Sequence, residues 1–201
     1  MKSDHAAEAD TRSAVLRQAA ALFADNGYDA VSVREIVGAA GVTKPALYYH
    51  FGNKEGVARA LIDEFLNAAT VMRQGVFAEA DGVRELIETY TREMLALAVD
   101  FKDTLAFAFS LWFGRSSLKN LIRHTEEYDA CVTAEWKQQL VARGMSARQG
   151  ELAIKTYWAL LMHELLKTVQ CPEFKGCADS LANEMATLVL NGVSGFEGTD
   201  V

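Results

Sequence analysis

The chain has 201 residues, 50% of them hydrophobic and 23% charged, with a formal net charge of −7. That composition is ordinary for a globular protein and gives ample length to bury a core. No apolar run approaches the roughly 18 residues of a membrane-spanning helix, and the polar, acidic N-terminus lacks the apolar stretch of a signal peptide, so membrane and secreted classes are excluded and the cytoplasm is the expected location.

Only two prolines in the whole chain, with many Ala, Leu and Glu, predict helix throughout. Residues 1–10 carry no cap and are expected to form a disordered tail. A first helix follows with Val15, Ala19, Leu22 and Phe23 on one face, and Asn26-Gly27 stops it. Ser32 and Glu35 form a capping box, in which hydroxyl and carboxylate satisfy each other's orphan backbone donors. Val33, Ile36, Val37 and Ala40 then repeat at helical spacing. Gly41 ends that helix, because glycine takes a left-handed cap without steric cost. Thr43 caps the next helix, and Pro45 fits its first turn, where a missing N–H costs nothing.

In that third helix Leu47 and Phe51 face inward, which leaves Lys44, Ala46, Tyr48, Tyr49 and His50 outward or flanking. A solvated helix face normally carries Glu, Lys and Gln, whereas this one carries two tyrosines and a histidine. Lys44 stands at a helix start, where the macrodipole disfavours a cation. Asn53 and Lys54 repeat the arrangement at the start of the fourth helix. A phosphate at each helix start accounts for both lysines. The pattern is a helix-turn-helix, with residues 44–50 as recognition helix.

An acidic chain is an unexpected DNA binder, but the charge is unevenly placed. Up to Gly56 six basic residues face seven acidic ones, a local balance of −1, and the remaining −6 lies downstream. Between residues 34 and 54 only Glu35 opposes Arg34, Lys44 and Lys54. The local patch decides, and its modest size predicts a shallow salt dependence per subunit.

The fourth helix keeps a stripe of Val57, Leu61, Phe65 and Met72 until residues 80–82, and no Pro/Gly/Ser linker separates it from the head. The next helix carries Val83, Leu86, Ile87, Tyr90, Met94, Leu97 and Phe101. Residues 104–114 are apolar all round. Phe107-Ala-Phe109 alternates as a strand does, but a lone strand has no partner, so a buried helix is expected. Further helices cover residues 118–143, then the segment opened by a second capping box, Ser146 and Gln149, and then the segment from Ala178. The stripes of the last two (Leu152 to Val169, and Leu181, Met185, Leu188, Val189) suit a self-complementary dimer contact.

Chemical motifs are few. Cys131, Cys171 and Cys177 match no zinc spacing and read as reduced thiols. His124 and Glu127 share a helix face, but two ligands are too few for a metal site. No HExxH, GxGxxG, P-loop or nucleophile elbow occurs, so neither an enzyme nor a cofactor is expected.

The head resembles the DNA-binding domain of the tetracycline-repressor (TetR) family of bacterial regulators. The matching residues are Ala20, Leu22, Phe23, Gly27 and Tyr28; Ser32, Val33, Arg34, Glu35 and Ile36; Gly41 and Val42; Leu47, Tyr48, Tyr49, His50 and Phe51; and Asn53, Lys54 and Glu55. The resemblance covers roughly the first quarter of the chain. It implies a three-helix helix-turn-helix head in residues 1–56 and a helical ligand-binding and dimerisation bundle in residues 57–201. It implies a homodimer on a palindromic double-stranded operator, released by a small molecule. By resemblance Tyr48, Tyr49, His50 and Lys54 hold phosphates, Lys44 and Ala46 face bases, and Arg34 reaches the duplex; Thr43 joins them as a DNA-binding candidate. The family keeps its effector pocket in the second half. There Met94, Phe107, Phe109, Trp112, Phe113, Tyr128, Tyr157, Trp158 and His163 are the candidate lining, with residues 107–113 facing the last three. Such a lining suits a flat, hydrophobic or aromatic ligand. The competing readings are an enzyme built on the helical second half and a regulator that senses a partner protein or no ligand.

Overall fold

Regular structure among the described residues is entirely helical: α1 (Lys2–Asn26), α2 (Val33–Ala40), α3 (Lys44–Phe51), α4 (Lys54–Glu79), α5 (Val83–Asp100), α6 (Lys102–Phe113), α7 (Lys119–Ala142), α8 (Ala147–Gln170) and α9 (Ala178–Val193). This computed structural model describes residues 2–113, 117–170 and 178–196, with side chains from residue 9 onward. Cys171 and Cys177 lie outside the described residues. The all-α fold expected from the sequence is present, including a helix across Phe107 and Phe109. The start of α1 differs from expectation. Helix begins at Lys2 rather than after residue 10, in keeping with the helix-favouring run Ala6-Ala7-Glu8-Ala9. Among the described residues no helix is long and apolar enough to cross a membrane.

The chain divides into two compact units, the first reaching to Asn67 and including Phe101–Arg123, the second formed by Ala68–Asp100 and the residues from His124 on. The helix-turn-helix therefore does not stand on three helices. Val15, Ala19 and Phe23 of α1, Ile36 of α2, Leu47 of α3 and Ile62 of α4 share one core with Phe107 and Leu111 of α6 and Leu121 of α7. Phe23 sits at the junction, its ring 5.2 Å from Tyr28 and 5.1 Å from Phe107. Ser117 Oγ donates to Asp29 Oδ1 at 2.7 Å, tying the segment before α7 to the α1–α2 connection. One long helix and two short ones bury too little apolar surface to hold themselves firmly, and α6 supplies a further layer.

In the second unit α5, α8 and α9 pack on one another. Leu86, Ile87, Tyr90, Trp136, Leu140 and Tyr157 are its largest fully buried side chains. Arg143 closes the end of α4, its Nη2 donating to the carbonyls of Phe77 and Ala80, both at 2.8 Å. A cation satisfying a helix's last carbonyls also opposes the negative end of the helix dipole. Ser146 and Gln149 cap α8 reciprocally, at 3.0 and 3.2 Å.

Candidate nucleic-acid interface

Caps set the geometry of the head. Glu35 accepts from the Ser32 backbone N–H at 2.7 Å, and the Glu35 N–H donates to Ser32 Oγ at 3.3 Å. The Ser32 hydroxyl, donating to Glu35 Oε2 at 2.7 Å, and then the Ser32 backbone N–H hold the Glu35 carboxyl below its usual pKa. Gly41 closes α2 at φ 67, a left-handed conformation that favours glycine, and its N–H returns to the Val37 carbonyl. The Val42 N–H donates to the same carbonyl at 3.1 Å. Thr43 then caps α3, its hydroxyl accepting from the Ala46 N–H at 3.3 Å. The turn is fixed at both ends by backbone hydrogen bonding.

Leu47 is fully buried and anchors α3. Its other side presents Lys44 and Tyr49 to solvent, Tyr49 being 76% exposed and Tyr48 48% exposed. Ala46 and His50 are partly buried, and the His50 ring lies edge-on to Tyr49 at 5.2 Å. Arg34 and Thr43 are exposed on the same helix-turn-helix. Large exposed rings on a helix whose opposite side is locked into a core form a surface ready for a partner.

Residues 15–61 match the family model described as "Bacterial regulatory proteins, tetR family". A curated relative, the HTH-type transcriptional repressor ComR of Escherichia coli (strain K12), is 34% identical over 101 residues, 50% of this chain and 48% of its own length. Residues 15–61 therefore carry a head of the tetR family of bacterial regulatory proteins. It spans about half, or less, of the length of the curated relatives it matches. Similarity of fold extends further. The fatty acid degradation regulator FadR from Bacillus halodurans superposes with a TM-score of 0.67 at 18% identity, covering 94% of this chain and 97% of that one. The transcriptional regulator FadR from Bacillus subtilis, solved in complex with stearoyl-CoA, also superposes with a TM-score of 0.67 at 18% identity, covering 89% of this chain and 97% of that one.

Against the family pattern, the position of Lys54 is a correction to the sequence reading. Its ammonium turns away from solvent and donates to the carbonyls of Tyr28 at 2.9 Å and Val31 at 2.8 Å. It also stands 4.0 Å over the Tyr28 ring. Two of its three N–H donors are thus committed to the α1–α2 connection, which leaves it a poor phosphate ligand. Asn53, by contrast, caps α4 as expected, with Oδ1 accepting from the Gly56 N–H at 2.8 Å.

Gly56 is a residue the sequence reading passed over. A Cβ added there falls 1.8 Å from the Phe51 carbonyl oxygen, so the backbones of α3 and α4 meet at a distance only glycine permits.

The expected ligand lining draws on residues of both units. Phe107 is fully buried in the head core, its ring 5.1 Å from Phe23. Phe109 is buried beside Trp112 and Phe113 at 6.0 and 6.4 Å, while Trp112 and Phe113 are themselves exposed. These residues belong to the first unit, whereas Met94, Tyr128, Tyr157, Trp158 and His163 belong to the second. His163 projects to solvent, its Nε2 3.9 Å from the buried Glu164, which is also held by Lys167 at 3.1 Å. The apolar run beside it in sequence did not reveal that His163's position around α8 puts it outside.

Within the second unit the structure gathers a different set. Arg73, only 3% exposed, donates from Nε to Glu135 at 2.9 Å and from Nη1 to the Tyr128 hydroxyl at 2.8 Å. Burial works against the guanidinium charge, but Tyr128 and Glu135 outweigh it and leave its pKa raised. The Tyr128 hydroxyl is also 3.0 Å from Thr70 Oγ1. Next along lies an aromatic cluster. Trp136 meets Tyr90 at 4.8 Å, Tyr157 at 5.1 Å and Trp158 at 6.1 Å. The Tyr157 hydroxyl pairs with Thr91 Oγ1 at 3.0 Å. A sequence signal for Arg73 existed: Ala69, Arg73, Val76 and Ala80 follow at i, i+4, i+7, i+11, a buried stripe with one cation in it.

Proposed function

We propose that this chain is a DNA-binding transcriptional repressor that works as a homodimer and releases its operator when a small hydrophobic or aromatic molecule binds its second unit. The observation that carries this reading is the exposed set Lys44, Tyr48 and Tyr49 on a helix anchored by Leu47, inside the stretch that matches the tetR family. Lys44 and Ala46 read base edges. Lysine donates to guanine O6 or N7, and the alanine methyl meets a thymine methyl. Tyr48, Tyr49, His50, Thr43 and Arg34 hold phosphates, which position the protein without reading sequence. Lys54 acts behind them by fixing the α1–α2 connection.

Assembly goes through the last two helices. Leu188 of α9 is 59% exposed on a helix whose other side packs on α5 and α8. A dimer places two recognition helices on half-sites about 34 Å apart and makes the operator palindromic. The relatives' names supply the direction of control, since ComR is a repressor. The stearoyl-CoA held by the Bacillus subtilis regulator supports an effector with a large apolar part. Effector and operator are linked reciprocally, so DNA weakens the effector by the same factor that the effector weakens DNA. Turnover of a bound compound would favour the enzyme reading instead.

The test is selection of bound duplexes from a random double-stranded library. Enrichment of a palindrome with half-sites one helical turn apart is the expected result. Retention without enrichment, or no retention at low salt, removes the reading.

A further inference from the structure

Two donors in the second unit are buried without an acceptor. Among the described residues neither Trp136 Nε1 nor Trp158 Nε1 has a hydrogen-bond partner. The Trp136 ring lies edge-on to Tyr90 at 4.8 Å, its N–H acting on the Tyr90 hydroxyl, which leaves Trp158 the freer donor. Buried indole N–H groups ordinarily find an acceptor, and burial strengthens the bond that an acceptor makes with such a donor. The two rings stand 6.1 Å apart, with Tyr157 5.7 Å and Tyr90 6.2 Å from Trp158. Trp136 is 1% exposed, whereas Trp158 is only partly buried, so one side of the cluster reaches the surface.

From this we infer that the aromatic cluster of the second unit binds a neutral, planar molecule carrying a carbonyl-type acceptor, held by the Trp158 and Trp136 indole N–H groups. An indole nitrogen can only donate, so the ligand must accept. Its body must be flat and apolar, because the surrounding rings favour stacked or edge-on contacts. It must be uncharged, because the one buried cation nearby, Arg73, already has Glu135, and an added anion would face that carboxylate. The inference rests on the proposed effector response and specifies the chemistry of its ligand.

The test uses the full chain with isotope-labelled tryptophan and two probes of one shape, acetophenone and α-methylstyrene, which differ by C=O against C=CH2. Three tryptophans give three indole N–H signals, assigned by Trp112→Phe and Trp158→Phe. Acetophenone is expected to move the Trp158 signal, alone or with Trp136, downfield, and to bind roughly tenfold tighter than α-methylstyrene. In Trp158→Phe that preference should fall toward unity, with any remainder carried by Trp136. Equal affinities for the two probes, movement of the Trp112 signal alone, or no binding of either probe overturns the inference. Duplex binding by the same sample is measured separately. A protein that binds DNA with its indole signals unmoved loses this inference and keeps the regulator; the reverse result keeps this site and removes the regulator.

Discussion

Lys54 closes on Tyr28 twice, donating to its carbonyl at 2.9 Å while standing 4.0 Å over its ring. A third contact, to the Val31 carbonyl at 2.8 Å, spans the whole α1–α2 connection. Hydrogen bonds to a charged donor are each worth about 1.5–3 kcal/mol. Lys54→Met keeps most of the stem and removes all three contacts. It should lower unfolding stability by about 3 kcal/mol or more in a denaturant titration, with the salt slope of DNA binding unchanged. Undiminished stability with a slope reduced by about one per subunit would return Lys54 to the phosphate-binding set.

Gly56 makes the opposite kind of contribution, by having no side chain. In Gly56→Ala the new carbon would lie 1.8 Å from the Phe51 backbone oxygen, and no flexible group can yield there. The α3–α4 junction must open, at a cost in the exceptional range above about 4 kcal/mol. DNA binding should be lost at every salt concentration. Gly38→Ala is the control. Nothing lies within 4 Å of its added carbon and it sits inside α2, so it should stabilise by about 0.5–1 kcal/mol. A Gly56→Ala protein as stable as the parent removes the close approach.

The capping box gives a pH dependence with a definite sign. The Glu35 pKa is depressed in the folded protein by its bonds to Ser32. Its contribution is therefore present above the unfolded value, about 4.3, and is lost as pH falls through the lower folded value. Ser32→Ala should melt below the parent at neutral pH, and the gap should narrow in acid below that value. A gap that stays constant on acidification argues that the carboxylate adds nothing to the cap.

The helix-turn-helix was legible in the sequence because its signals are local. Ser32 with Glu35, Gly41, Thr43 with Pro45, and Asn53 each specify a backbone conformation within a few residues of themselves. The same locality explains the errors. Lys54 reads as a helix-start cation, and only its partners 23 and 26 residues earlier show that it points inward. Phe107 lies in an apolar run that periodicity cannot orient, and its partner Phe23 is distant in sequence. Aromatic content could therefore announce that rings cluster, but not which rings. Trp136 and Tyr90 hold the centre that Phe107 and His163 were expected to share.

Contacts by Lys44 and Tyr48 separate in a salt titration. Tyr48 is half-exposed, and Tyr48→Phe keeps its packing and removes only the hydroxyl of the proposed phosphate contact. That change should weaken specific and non-specific duplexes alike, by about threefold to tenfold, with no change of slope, because no charge is lost. Lys44→Ala should instead flatten sequence preference at one or two positions of each half-site, by about 1–3 kcal/mol for the preferred base. Binding is measured by fluorescence anisotropy on matched and mismatched duplexes. Uniform weakening by Lys44→Ala would place it on the backbone.

Leu188 and Leu165 distinguish assembly from folding. Both lie on the apolar stripes of the last two helices, but Leu165 is 8% exposed and Leu188 59% exposed. A charge at Leu165 would be buried within the unit and would test folding alone. A charge at Leu188 stays in water in the monomer and is buried only if a second copy covers α9. Leu188→Glu should therefore leave thermal unfolding of the isolated chain close to that of the parent diluted to monomer, while light scattering falls from twice the chain mass to once. Operator affinity should fall in parallel, because one head contacts one half-site and loses the gain of a linked second contact. An unmodified protein that scatters as a monomer at micromolar concentration, or a Leu188→Glu protein that remains a dimer, moves the interface away from α9.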